Sequence, residues 1–78
     1  MNKQELELKE LCDRIGIKGD RQYSGGTLYR ALWRGRIKSV EQLKNTPIED
    51  LLKIRHLGEK RVLYIMSKLL EESERVRA

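Results

Sequence analysis

Apolar residues recur along this chain at intervals of three and four, and the recurrence breaks at glycines. Leu8, Leu11, Cys12 and Ile15 share one side of a helix, which predicts a first helix over 3–15 with Gly16 as its stop. Residues 16–26 carry Gly16, Gly19, Gly25 and Gly26 together with Asp20 and Ser24, and read as a loop. Leu28 and Leu32 predict a short helix over about 27–34, ended by Gly35, with Thr27, Arg30 and Arg34 on its opposite face. Ser39 opens S-V-E-Q, a capping-box pattern with Gln42 at the third helical position. Thr46-Pro47 opens another short helix, with Thr46 as N-cap, Pro47 at the first helical position and Glu49 completing a second capping box. Leu51, Leu52 and Ile54 give that helix its buried side, and Leu57-Gly58 turns the chain. Val62, Ile65, Met66, Leu69 and Leu70 then form an amphipathic stripe over a last helix of about 59–74.

The pattern predicts an all-α protein, a compact bundle of four to five short helices containing a helix–hairpin–helix motif. Leu28, Leu32, Ile37, Val40, Leu43, Leu51, Leu52, Leu57, Val62, Ile65, Met66 and Leu69 are its expected core. Seventy-eight residues allow one small domain with a thin stability margin. With no Phe and one Trp, that core must be aliphatic.

Composition narrows the chemistry. Cys12 is the one cysteine, so no internal disulfide forms, and its neighbours mark it as a small buried apolar residue. A lone Cys and a distant lone His56 give no basis for a metal site or a thiol enzyme. His56, just before the turn, reads as exposed, with a structural or phosphate-facing role. Asp13, Asp20 and Asp50 lack metal-binding spacing, and no catalytic triad or paired-carboxylate arrangement is visible. No cofactor, metal or catalytic residue is expected. The start, MNKQELELKE, is too charged for a signal peptide, and no apolar run approaches the ~18 residues of a membrane span. A soluble cytoplasmic protein is expected.

Charge is unevenly placed. The net charge is +5, yet residues 1–20 and 40–56 are close to balanced. Residues 21–39 carry Arg21, Arg30, Arg34, Arg36 and Lys38 with no acid, and 57–70 set Lys60, Arg61 and Lys68 against Glu59 alone. If the fold joins these segments, they form one basic surface. Tyr29 and Trp33 flank the arginines, as packing groups or as base-stacking ones.

The L-G-x-K-R stretch adds a mechanism. The first amides of a helix lack internal partners and carry partial positive charge, so a helix start after Gly58 can hold a phosphate. Gly58 has no Cβ to keep a DNA backbone away. Lys60 and Arg61 add full charges beside those amides. Gly58 could equally serve only the turn, with Lys60 and Arg61 as ordinary solvated residues.

From Ser24 to Glu71 the chain, SGGTLYRALWRGRIKSVEQLKNTPIEDLLKIRHLGEKRVLYIMSKLLE, resembles the C-terminal domain of the bacterial RNA polymerase alpha subunit. The resemblance rests on a first helix ending in R-x-x-I, on S-V-E-Q-L, and above all on T-x-x-E-D-L-L-K-I-R-x-L-G-x-K. It covers about 48 of the 78 residues without a gap. It implies a domain over 24–74, preceded by a helix and Gly-containing loop of the protein's own over 1–23 and followed by a tail over 75–78. It also implies entry into the DNA minor groove upstream of promoters, with contacts to sigma factor and activators. The family's hairpin glycine falls on Gly58 and its following basic residue on Lys60. Its next serine is Arg61 here, and its glutamate on the last helix is Tyr64. Its groove-inserting arginine falls on Thr27 and its nearby asparagine on Arg30, so a cation enters from one turn further along.

The resemblance implies a DNA surface of Thr27, Arg30, Arg34, Gly58, Lys60 and Arg61. The alpha subunit's assembly domain is absent from the sequence, so a free-standing relative is expected. Two other functions compete with a small DNA-binding domain acting in transcription. One is a protein-interaction module docking on RNA polymerase, sigma factor or another regulator with little DNA affinity. The other is a nonspecific accessory of a repair or recombination enzyme, disfavoured by the lack of nuclease or ligase motifs.

Overall fold

A computed structural model describes residues 2–55 and 57–77, with side chains as far as 74. His56, read above as exposed, lies outside the described residues. Five helices are present: α1 Lys3–Ile15, α2 Gly25–Arg34, α3 Val40–Lys44, α4 Ile48–Leu52 and α5 Glu59–Arg77. Among the described residues there is no strand, as an all-α reading requires. Nor is any helix there long and apolar enough to cross a membrane.

Local chemistry sets the helix starts. Asn2 opens α1 with a full capping box: its Oδ1 accepts from Glu5 N at 2.8 Å, and its own N donates to Glu5 Oε2 at 3.4 Å. Ser24 caps α2 by accepting from Thr27 N at 3.3 Å, so this helix begins two residues earlier than the apolar spacing indicates. Gly25 and Gly26 belong to its first turn, not to the loop. Ser39 caps α3 through Gln42 N at 3.0 Å. The expected return bond goes elsewhere: Gln42 Oε1 accepts from Lys38 N, and its Nε2 donates to Arg36 O at 2.7 Å.

The second expected capping box does not form. Pro47 is the N-cap of α4 and has no side-chain acceptor to offer. Thr46 is drawn back instead, its Oγ1 donating to Gln42 O at 2.6 Å across the end of α3. Two five-residue helices separated by so few residues leave one hydroxyl a choice between the carbonyls behind it and the amides ahead.

The core is formed by Leu8, Leu11, Cys12, Ile15, Leu28, Ala31, Leu32, Ile37, Leu43, Leu51, Leu57, Val62, Ile65 and Leu69, with Val40 and Met66 partly buried against it. Leu52 is a correction, being 46% exposed. In a helix this short only Leu51 can face inward, and the next residue lies about 100° around the axis at 3.6 residues per turn. Leu70, at the far end of the last stripe, is also exposed. Ile54 falls beyond the end of α4, partly buried.

Residues 3–15 share this one core, and α1 lies close against α2. A Cβ on Gly16 would meet the backbone N of Gly25 and come within 2.8 Å of Gly25 Cα; a Cβ on Gly25 would come within 2.8 Å of Asp13 Cα. The Cα radius of gyration is 11.6 Å, against about 11.5 Å for a compact domain of this length.

Candidate nucleic-acid interface

The start of α5 is the centre of the candidate site. Gly58 has φ +80, a conformation that costs any residue with a Cβ about 1–2 kcal/mol. That turn lets Leu57 plunge fully into the core while Glu59 starts the helix at once. The first bond within the new helix runs from Val62 N to Gly58 O at 3.1 Å. The amides of Glu59 and Lys60 therefore have no acceptor inside the helix, and Gly58 has no side chain with which to cap them. A Cβ placed on Gly58 would have nothing within 4 Å, so the backbone here lies open.

These residues line an open depression of about 540 Å³ with Leu57, Arg61, Gln22 and Tyr23. Gln22 and Tyr23 come from the 16–24 loop, which is tightly braced. Asp20 Oδ1 accepts from Gln22 N at 2.7 Å and Tyr23 N at 2.8 Å, and Ile17 N donates to Tyr23 O at 2.7 Å. Tyr23 packs edge-on against Tyr64 of α5 with ring centroids 5.0 Å apart. Tyr64 in turn donates its hydroxyl proton to Ile15 O at the end of α1. The position where the resembling family has a glutamate is thus a tie between α5, α1 and the loop. Sequence reasoning missed Gln22 and Tyr23 as site residues. The Asp-x-Gln-Tyr turn signal was available, but nothing in the sequence says which helix end the loop leans on.

Thr27 is joined to the same loop. Its Oγ1 accepts from Ser24 Oγ at 2.9 Å and donates to Arg21 O at 2.9 Å. It therefore reaches the wall of the depression through the backbone of Arg21, the residue before Gln22. Arg30 is exposed on the next turn of α2. Arg34 is placed differently: it lines a separate depression at the other end of α2 with Arg36, Lys53 and Arg55. The structure sets Gly58, Lys60 and Arg61 on one depression, ties Thr27 to its wall through Arg21 O, and leaves Arg34 on a separate one.

Tyr29 is a packing group, and Trp33 lies beside it. Their ring centroids lie 6.0 Å apart, Tyr29 rests on the core, and Lys38 Nζ sits 4.8 Å above the Trp33 ring. Burial pushes the Cys12 thiol up from 9.0 to about 12, assisted by the neighbouring Asp13 carboxylate, so it stays protonated and inert at neutral pH. Among the described residues no group of three or more His, Cys, Asp or Glu could hold a metal ion. The chain matches no protein-family model, no curated protein and no solved structure.

Proposed function

We propose that this chain is a small DNA-binding domain that holds duplex DNA by its phosphates and enters the minor groove, acting in transcription or its regulation in a bacterial cytoplasm. The carrying observation is the start of α5. Gly58 at φ +80 starts α5 with amides that have no acceptor inside the helix, beside Lys60 and Arg61 in an open depression. Helix amides, dipole and two cations all favour an anion there. The acid-free stretch 21–39 extends the same charge along α2. The Ser24–Glu71 resemblance to the RNA polymerase alpha C-terminal domain supports the choice of DNA and transcription.

Duplex affinity should fall with salt at about −0.9 in log–log slope per phosphate neutralised. Lys60→Ala should weaken all duplexes nearly equally and make that slope shallower by about one unit. Wild-type binding that ignores salt would sink the proposal.

The second reading, a module docking on polymerase, sigma factor or another regulator, is favoured by one observation. The family's groove-inserting position is Thr27, whose hydroxyl is committed to Ser24 and Arg21. Competition between A-tract and G·C duplexes separates the two readings. A narrow A-tract groove attracts arginine, so the DNA reading expects a modest A·T preference that Arg30→Ala removes. No preference, with Thr27→Arg adding none, selects docking.

A further inference from the structure

Arg36 is the one non-glycine residue at positive φ among those described, with φ +66. It occupies the left-handed position that ends α2: Arg36 N donates to Trp33 O at 2.9 Å, and Ile37 N to Leu32 O at 2.9 Å. Helices closed this way normally place glycine there. Here the glycine is one residue early. Gly35 has φ −85 and is needed for space, since a Cβ on it would come within 2.5–2.7 Å of the Ile54 side chain. An arginine thus holds a backbone conformation that a glycine would adopt without cost.

The Gly35–Ile54 contact has a second consequence. It brings residues 34–36 against 53–55, so Arg34, Arg36, Lys53 and Arg55 line one open depression of about 300 Å³ with Asp50 as its only acid. All four cations are exposed, and none pairs with a carboxylate among the described residues. Cations do settle at helix C-termini, and both α2 and α4 end here. Two such ends supply together about one negative charge. With Asp50 that offsets two of the four cations and leaves roughly two over.

We infer that this cluster is a second phosphate-binding contact for the same DNA duplex. The inference rests on the proposed DNA-binding function and extends it. Thr27 and Arg34 stand at the two ends of α2, about 10 Å apart along its axis at 1.5 Å per residue. Ile54 and Arg55 line one depression and Leu57 and Gly58 the other, and Arg30 lies on α2 between Thr27 and Arg34. A duplex carries a negative charge per ~1.7 Å of axis, so one spanning both depressions meets both clusters. A positive φ kept at Arg36 is then the local cost of aiming a cation at the ligand.

The test measures the salt dependence of binding to one duplex for wild type, Lys60→Ala, Arg36→Gly, and the double variant Lys53→Gln with Arg55→Gln. Arg36→Gly removes a charge and supplies the residue the turn prefers, so its thermal midpoint should rise while its salt slope becomes shallower by about 0.9. The double variant should be shallower by about 1.8. If Lys60→Ala flattens the slope but Arg36→Gly and the double variant leave it unchanged, the second contact is wrong and the DNA-binding function stands. If wild type shows no salt-dependent duplex binding, both fall together.

Discussion

The α1–α2 contact and the connection between α4 and α5 both depend on glycine, for opposite reasons. At α1–α2 the glycines give room. Gly16 and Gly25 let two backbones touch, and any Cβ would strike main-chain atoms. At Gly58 room is plentiful, and what the residue supplies is a backbone angle. The first region buries Leu8, Leu11, Cys12 and Ile15 and stabilises the fold. Among the described residues of 53–58 the second buries Leu57 alone, leaving Lys53, Arg55 and Gly58 outside with Lys60 just beyond. Glycine thus serves packing at Gly16 and Gly25 and display at Gly58, where a Cβ would meet nothing within 4 Å.

The comparison breaks most sharply on the leucines. Leu8→Ala on α1 should cost roughly 2–5 kcal/mol, as should Leu32→Ala and Ile65→Ala, because each side chain is fully or almost fully buried. Leu52→Ala, near the connection, should stay within about 0.5 kcal/mol because its side chain is exposed. Chemical denaturation of the variants reads both; a large loss at Leu52 would mean that the α4 face is covered by something else.

The glycines come next. Gly25→Ala forces a Cβ against the backbone of Asp13 and should cost about 1–3 kcal/mol or more, with α1 displaced from α2. Gly58→Ala should cost about 1–2 kcal/mol through its left-handed angle alone, with no repacking. Backbone chemical shifts would show it: changes spread over α1 for the first variant and confined to 57–62 for the second.

Thr27→Arg sharpens the comparison at the binding edge. It adds the cation that the family resemblance implies, so duplex binding should strengthen and its salt slope steepen by about 0.9. The same change removes the hydroxyl that holds Arg21 O, so stability should fall by about 0.5–1.5 kcal/mol. Tighter binding by a less stable protein is the expected pair; weaker binding would mean that the braced loop matters more than the added charge.

The smallest effect at neutral pH belongs to Cys12. Its folded value of about 12 exceeds the ordinary 9.0, so the folded state keeps a proton that the unfolded state loses between those values. Stability should therefore be unaffected below pH 9 and fall as pH rises from 9 towards 12. Cys12→Ala should flatten that alkaline decline relative to wild type. In native protein at pH 8 the thiol should resist alkylating reagents and react only on unfolding.

Periodicity determined the helices. Strong stripes at Leu8–Ile15 and Val62–Leu69 mark α1 and α5 because a helix repeats its face every three to four residues, whatever it packs on. The two five-residue helices were harder to read. Too few residues define a face there, so Leu52 was misplaced and Thr46 turned back towards α3. At the candidate site, Gly58, Lys60 and Arg61 were legible because one helix start carries their chemistry. Only tertiary contact decided the rest. The loop bearing Gln22 and Tyr23 leans on α5 through the Tyr23–Tyr64 rings, and Ile54 against Gly35 gathers Arg34, Arg36, Lys53 and Arg55. The sequence reports local geometry and total charge. Which distant cations share a surface depends on where one side chain finds space against another helix, and that is settled only when the chain packs.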